Sequence, residues 1–181
     1  YVCAEGDFKN RIVVPYFDEY GQLIYYNART LSNNKKALRY MKPKEGSQEN
    51  VLYFKKWPVP DNKIYITEGE FDAMVLNLAD LYGVACGGKF LSEKQINMIR
   101  HYKPVLAFDA DDSGESALIK VGNDLLNNGF SEVYYVRPPK NYKDWNKLLQ
   151  DRDIETVKAY IQKFEKKFTT WTEDILKAKK L

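Results

Sequence analysis

The amino-acid sequence predicts an α/β protein in which a small antiparallel β-rich region precedes a mainly parallel sheet with helices on both faces. The first observation is an alternation. Between residues 64 and 136, short apolar runs of strand type alternate with segments of helical apolar spacing, an order typical of parallel sheets. The second observation concerns residues 11–31, where two strand-like runs flank the turn Asp18-Glu19-Tyr20-Gly21 and predict an antiparallel hairpin.

Four strands and four helices are expected after the hairpin. The strands are predicted at 64–67, 82–86, 104–108 and 133–136, and the helices at 70–81, 92–100, 116–128 and from 154 onward. Ser92 and Gln95 have the spacing of a capping box at the start of the second helix. Gly129 follows the third helix, where glycine commonly ends helices.

Length and composition limit the classes of protein to which this chain can belong. It has 181 residues, of which 44% are hydrophobic and 29% charged, as expected for one ordered domain with at most a small appendage. Cys3 and Cys86 are far apart, so neither a disulfide framework nor a structural zinc site is expected. No apolar run has the length of a membrane span and no secretory leader opens the chain, which predicts a cytoplasmic protein.

Three parts are expected, at 1–60, 61–152 and 153–181, and charge is distributed unevenly along the chain. Residues 1–60 contain ten Lys/Arg and six Asp/Glu, whereas residues 61–157 contain eleven and sixteen. Residues 158–181 contain seven and three. An acidic centre between basic flanks is compatible with a metal site beside a bound polyanion. The same counts also fit a sheet core with solvated, charged flanks.

The most informative residues are acids that directly follow predicted strands. Glu68 follows the first strand of the second region, and Asp109 and Asp111 follow the third. Ligands of open α/β sheets bind at this carboxyl edge. Two carboxylates about 4 Å apart repel by roughly 4 kcal/mol at an effective dielectric of 20, so a bound cation would compensate them. Mg²⁺ is a hard ion that prefers such oxygen ligands.

Three other interpretations of the second acidic motif were weighed. An EF-hand loop would fit Asp109, Asp111 and Gly114, but Lys120 replaces the final Glu and a strand precedes the motif. A dehalogenase-type phosphatase normally has its motif on the first core strand, whereas here an earlier strand ends at Glu68. Helix capping would explain Asp72 and Asp112, but not why acids gather at several strand ends.

The acidic motifs resemble those of the TOPRIM domain over residues 63–150. The resemblance rests on Glu68-Gly69 after a strand, Asp109-x-Asp111 after a later strand, and Gly114 opening the next helix. Primases, topoisomerases and some nucleases share this domain. The resemblance implies acid/base or metal chemistry for Glu68 and Mg²⁺ binding, with Mn²⁺ as a substitute, for the Asp pair. Lys143-Asp144-Trp145-Asn146 is similar to an element of phage primase-helicases, which implies a third metal ligand at Asp144.

The region before the TOPRIM-like segment resembles the basic subdomain that precedes TOPRIM in primases. The resemblance implies contacts to template and nucleotides for a set of basic residues, namely Arg11, Arg29, Arg39, Lys42 and Lys55. This chain departs from that family by having Asn27-Ala28 where glycines are usual. It also has Arg39 in place of lysine and Lys42 in place of asparagine.

Residues 29–44 are basic independently of any resemblance, since they contain six Lys/Arg and no acid. Tyrosines interleaved with this charge, among them Tyr25 and Tyr40, are predicted either to stack on unpaired bases or to pack against the sheet. A solvated lysine loop is the simpler alternative for the charge. Gly87-Gly88-Lys89 is compatible with phosphate binding through backbone amides and Lys89, and equally with a helix-entry turn.

Together, the two resemblances imply the catalytic part of a DNA primase, which would join ribonucleoside triphosphates on a single-stranded DNA template. A TOPRIM nuclease and a catalytically silent nucleic-acid-binding module are the alternatives. The resemblance implies a zinc-binding domain N-terminal to this segment, and the start at Tyr1 predicts that the chain belongs to a longer protein. A replicative helicase is the further expected partner. The lysine-rich segment 153–181 would lead to that helicase or cover the sheet edge.

Overall fold

A computed structural model of the chain describes residues 1–34, 36–54 and 62–168. Lys55, the boundary predicted around residue 60 and the segment from 169 onward lie outside the described residues. The strands are β1 Val2–Cys3, β2 Arg11–Phe17, β3 Leu23–Thr30, β4 Tyr40–Met41, β5 Tyr53–Phe54, β6 Lys63–Thr67, β7 Gly83–Ala85, β8 Lys103–Leu106, β9 Tyr134–Tyr135 and β10 Lys166–Lys167. The helices are α1 Glu70–Leu78, α2 Glu93–Met98, α3 Asp112–Asn127, α4 Trp145–Asp151 and α5 Ile154–Phe164, with a 3₁₀ turn at Gln48–Asn50.

The N-terminal region forms an antiparallel sheet with the strand order β1-β2-β3-β4. Its centre is the predicted hairpin, in which Val14 pairs with Asn27 and Tyr16 with Tyr25. The apolar side chains of this face form a small core of their own. Because Met74 of α1 packs against that core, the face is directed toward the second sheet.

The second, main sheet has the order β10-β9-β8-β6-β7-β5. Its four central strands are parallel, and the two edge strands, β10 and β5, are antiparallel to their neighbours. This confirms the predicted α/β class, with a parallel-rich sheet after an antiparallel one. Strand β5, at the edge of the main sheet, belongs to the segment before the TOPRIM-like region. That segment therefore contributes one strand to the main sheet.

Alternation along the central strands divides the core into two layers. Ile64, Ile66 and Leu106 point to the face covered by α2 and α3. Tyr65 and Val105 point to the opposite face, where α1, α4 and α5 pack. Helices therefore cover both faces, as predicted from the alternating sequence. No helix among the described residues is long and apolar enough to cross a membrane.

Two helix boundaries differ from those predicted. Helix α1 ends at Leu78 rather than residue 81, because Asp80 has a left-handed backbone (φ 55°). Helix α3 begins at Asp112, four residues earlier than predicted, because the side chain of Asp111 accepts a hydrogen bond from Gly114 N and caps it.

The C-terminal part of the described chain contains two elements that the sequence pattern did not predict. Helix α4 follows Asp144, whose side chain accepts from Lys147 N and forms its N-cap. The predicted helix from residue 154 onward ends at Phe164, and β10 then pairs with β9. Glu165 between them forms a 2.6 Å ion pair with Lys63 of β6, a contact that no local pattern can reveal.

Candidate active site

A cleft of about 350 Å³ lies where the N-terminal sheet meets the carboxyl edge of the main sheet. Acidic side chains line one side, namely Glu68, Glu70, Asp72, Asp109 and Asp144. Basic side chains also line the cleft, namely Arg29, Arg39, Lys42 and Lys143. The lining residues Asn27 and Asn146 are 119 positions apart in sequence, so distant segments of the chain line one cavity.

Strand order explains why the acids converge. Strands β6 and β8 are parallel neighbours, so Glu68 and Asp109, which follow them, emerge at the same edge. Asp144 is added from a third segment. The indole of Trp145 is fully buried and its Nε1 donates to Ala107 O at 2.9 Å, which fixes the start of α4 beside β8.

Glu68 is the acid in the least compensated environment. Its Oε1 is buried and has no hydrogen-bond partner among the described residues. Burial, together with repulsion from Asp109, raises the pKa of Glu68 to about 7, although Lys89 opposes the shift. The carboxylate is therefore about half protonated at neutral pH unless a positive charge joins the site.

Asp72 is a site residue that the sequence analysis assigned only to the first turn of a helix. Its Oδ1 accepts a 2.9 Å hydrogen bond from Asn146 N. Burial, and beyond it repulsion from Asp144 and Asp109, nevertheless raises the pKa of Asp72 to about 7. The sequence signal that could have identified Asp72 as a site residue was its position four residues after Glu68. At this spacing, about one helical turn, both side chains lie near the end of the same strand.

Asp109 and Asp111 have opposite electrostatic environments. Burial and repulsion from Asp144 raise the pKa of Asp109. The hydrogen bond from Gly114 N lowers the pKa of Asp111, and its Oδ2 lies 3.4 Å from Lys143 Nζ. Asp111 is partly buried and is not among the residues that line the cleft. The capping interpretation thus applies to Asp111 and Asp144, and Asp144 also lines the cleft.

The residues of the cleft are compatible with a divalent cation. Within residues 1–34, 36–54 and 62–168, no three His, Cys, Asp or Glu side chains lie close enough to form a ready-made metal site. The acids offer only oxygen ligands, however, which suit Mg²⁺ or Mn²⁺. The unpaired Glu68 Oε1 and the raised pKa values of Glu68 and Asp72 are the features that a bound cation would relieve.

Two arginines on the basic side of the cleft lie over aromatic rings. The guanidinium of Arg29 lies 4.9 Å from the ring centre of Phe71, and that of Arg39 lies 5.7 Å from the ring centre of Tyr40. Lys42 Nζ donates to Gln48 Oε1 at 2.5 Å. With these contacts, the cationic groups of Arg29, Arg39 and Lys42 line the same cleft as the acids.

Two further predicted binding residues have other contacts. Arg11 is buried, and its Nη1 donates to Ala28 O and Leu38 O, which ties β2 to β3 and to the segment before β4. We therefore do not propose it as a phosphate ligand. Lys89 Nζ donates to Ser113 Oγ and lies near enough to Glu68 to lower its pKa.

Tyr25 and Tyr40, which were predicted either to stack on unpaired bases or to pack against the sheet, have different environments. Tyr25 is buried, in edge contact with the ring of Tyr16, 5.2 Å between centres. Tyr40 lines the cleft next to Arg29 and Arg39.

Comparison with known proteins agrees with the fold. The family described as Toprim-like matches residues 65–149. The DNA primase of Mycoplasma genitalium is 34% identical over 161 residues, which covers 84% of this chain and 26% of the relative. The structure thus defines a Toprim-like α/β domain with an antiparallel sheet before it. The chain belongs to the TOPRIM-domain primases.

Solved structures show the same fold. The zinc-binding and RNA polymerase domains of the Aquifex aeolicus primase match with a TM-score of 0.73 at 24% identity, over 88% of this chain and 41% of that one. A DnaG primase catalytic domain bound to single-stranded DNA matches with a TM-score of 0.78 at 18% identity, over 94% and 56%. The chain spans about a quarter of the length of the curated relatives it matches.

Proposed function

We propose that this chain is the catalytic core of a DNA primase, which joins ribonucleoside triphosphates on a single-stranded DNA template. The observation that supports this most strongly is the single cleft that combines Glu68, Asp72 and Asp109 with a basic side of Arg29, Arg39 and Lys42. Acids suited to a divalent cation and cations suited to phosphates are both needed to bind a nucleotide beside a DNA strand.

The reaction joins a 3′-hydroxyl to the α-phosphorus of the incoming nucleotide. The new oxygen–phosphorus bond forms as the bond between the α- and β-phosphates breaks, and pyrophosphate leaves with the electron pair. Glu68 is the candidate for accepting the hydroxyl proton, through the Oε1 atom that has no hydrogen-bond partner among the described residues. Arg29, Arg39 and Lys42 would hold template and triphosphate in line.

Mg²⁺, or Mn²⁺ in its place, would be held by Glu68, Asp72 and Asp109, with Asp144 beside them and Asp111 at the edge. When bound, it would neutralise triphosphate charge and align the displacement. Without it, the carboxylates of this cleft repel the phosphates that the basic side attracts, so the chain's own acids make the reaction depend on a cation.

The proposed partners follow from this assignment. Single-stranded DNA would cross the basic side, as the DNA-bound DnaG domain makes plausible. A zinc-binding domain accompanies the RNA polymerase domain in the Aquifex aeolicus structure, and we propose one in the longer protein that contains this chain. A replicative helicase is the remaining proposed partner, and Lys55 remains a proposed phosphate ligand.

Primer synthesis tests the proposal directly. The chain is incubated with labelled ribonucleoside triphosphates, mixed-sequence single-stranded DNA and Mg²⁺ or Mn²⁺, and compared with the Asp109→Ala/Asp111→Ala variant. Short ribonucleotide products from the unsubstituted chain alone are expected. Degraded template with no products would instead identify a nuclease, and metal-independent DNA binding without either reaction would identify a silent binding module.

A further inference from the structure

Two polar side chains at the floor of the cleft have no role in the chemistry described above. Asn27 of β3 and Glu70 of α1 both line the cleft, although they are only 6% and 4% exposed. Glu70 Oε1 accepts hydrogen bonds from Tyr16 OH and from Asn27 Nδ2, the latter at 2.8 Å. These bonds fix the pair from the side of the N-terminal core.

The same bonds leave one buried acceptor unused. Asn27 Oδ1 is buried and has no hydrogen-bond partner in the described part of the chain. Glu70 lines the cleft beside it, and Oε1 is the oxygen that accepts from Tyr16 and Asn27. Buried acceptors in folded proteins nearly always have a partner, so an orphaned one calls for a donor from outside the protein.

The surroundings restrict what that donor can be. Arg29 and Lys42 line the same cleft, so a ligand that reaches the floor lies next to cations that favour its negative charge. Phosphate oxygens carry no hydrogen to donate at neutral pH. A ribonucleotide satisfies both demands, since its phosphates are anionic and its sugar has two adjacent hydroxyl donors. A buried carboxylate that accepts from ribose hydroxyls is an established solution in dinucleotide-binding folds.

We propose that Asn27 and Glu70 form a sugar-binding subsite that accepts hydrogen bonds from the 2′- and 3′-hydroxyls of a ribonucleotide. The pair then selects ribonucleotides over deoxyribonucleotides. A site whose buried polar groups bond a substrate hydroxyl strongly disfavours an analogue that lacks it, because those groups lose their partner. This inference rests on the proposed function, for which it names the residues that recognise the sugar.

Equilibrium binding of nucleotides in Mg²⁺ tests the subsite. The chain is titrated with ATP, 2′-deoxy-ATP, 3′-deoxy-ATP and inorganic tripolyphosphate. The unsubstituted chain is expected to prefer ATP over both deoxy analogues. Asn27→Ala and Glu70→Gln should each reduce that preference about tenfold or more, whereas the affinity for tripolyphosphate should change little.

Tyr53→Phe is the matched control, because Tyr53 packs in the same N-terminal core, against the ring of Tyr16, but does not line the cleft. It should keep the preference for the ribose. The proposal is overturned if the unsubstituted chain binds 2′-deoxy-ATP as tightly as ATP, or if both cleft variants retain the preference.

Primer synthesis by the same proteins separates the two claims. If the unsubstituted chain makes primers and the variants still exclude deoxyribonucleotides, only the sugar subsite is refuted. If the unsubstituted chain makes no primers under any condition, the proposed function itself fails.

Discussion

The acids of the cleft repel one another and do not stabilise the fold. Asp72 shows this most clearly. Its pKa rises from the ordinary 3.8 to about 7. The folded protein therefore holds more protons than the unfolded chain between these values, and stability decreases as pH rises through this window. A residue kept at such a cost is expected to serve function.

Asp72→Asn should consequently make the metal-free chain more stable and less active. In EDTA, the melting temperature should rise more at pH 8 than at pH 5, by roughly 2–4 °C for each kcal/mol of destabilisation that is removed. Primer synthesis should decrease by at least tenfold. Thermal melts at both pH values provide the measurement, with the exposed Asp7→Asn as the control. An equal shift at both pH values would contradict this account of Asp72.

The sequence predicted the positions of some site residues and not of others. Glu68 and Asp109 were predictable because a strand end determines where the next side chain emerges. The burial of Arg11 was not, since its two carbonyl acceptors come from β3 and from the segment before β4. Asp72 was given a helix-capping role because its neighbours Asp109 and Asp144 are distant in sequence.

At the scale of elements, α3 must approach the end of β8 closely. A Cβ added to Gly114 would lie 2.3 Å from the carbonyl oxygen of Asp109. No side chain fits there, so glycine allows the first turn of the helix to pack against the backbone of a cleft acid. This contact gives a structural reason for glycine three residues after Asp111.

Gly114→Ala should therefore both destabilise the chain and displace Asp109. Overpacking of this kind costs typically about 1–3 kcal/mol, measurable by urea unfolding. Primer synthesis should fall further than the loss of folded protein explains. Gly88→Ala is a control for stability alone, because nothing lies within 4 Å of its added Cβ. Equal stability of the two variants would refute the proposed close contact.

Elements were predictable where their signals are local. The hairpin of β2 and β3 and the capping box of α2 were expected from turn and cap residues, and both are present. Helix α4 and strand β10 were missed because they depend on distant partners, Ala107 for the buried Trp145 and β9 for β10. Short elements of this kind are stabilised by tertiary contacts more than by propensity.

At the scale of the whole molecule, the cleft lies where the two sheets meet. The fold class followed from the sequence, but the cleft did not, because its basic side and its acidic side belong to different sheets. The charge distribution of the sequence was compatible with a metal site beside a bound polyanion, or with solvated flanks. The structure adds that Arg29, Arg39 and Lys42 line the same cavity as the acids.

The salt dependence of single-stranded DNA binding tests this placement. Each phosphate contact should contribute roughly −0.7 to the slope of log affinity against log salt. The Arg39→Ala/Lys42→Ala variant should therefore reduce the slope by about 1.4. Lys158→Ala provides a control on a distant face, where Lys158 pairs with Asp80. An unchanged slope in the double variant would mean that DNA follows another path.

Direct measurement of metal binding is the most decisive test of the central claim that the cleft is one divalent-cation site. Mn²⁺ binding to the chain is followed by electron paramagnetic resonance at pH 6 and pH 8, with Glu68→Gln, Asp109→Asn and the exposed control Glu5→Gln. Binding should strengthen toward pH 8, because the raised pKa of Glu68 makes protons compete with the ion. Both cleft variants should lose affinity by at least tenfold and the control should not. Unchanged affinity in both cleft variants, or affinity independent of pH, would contradict the account.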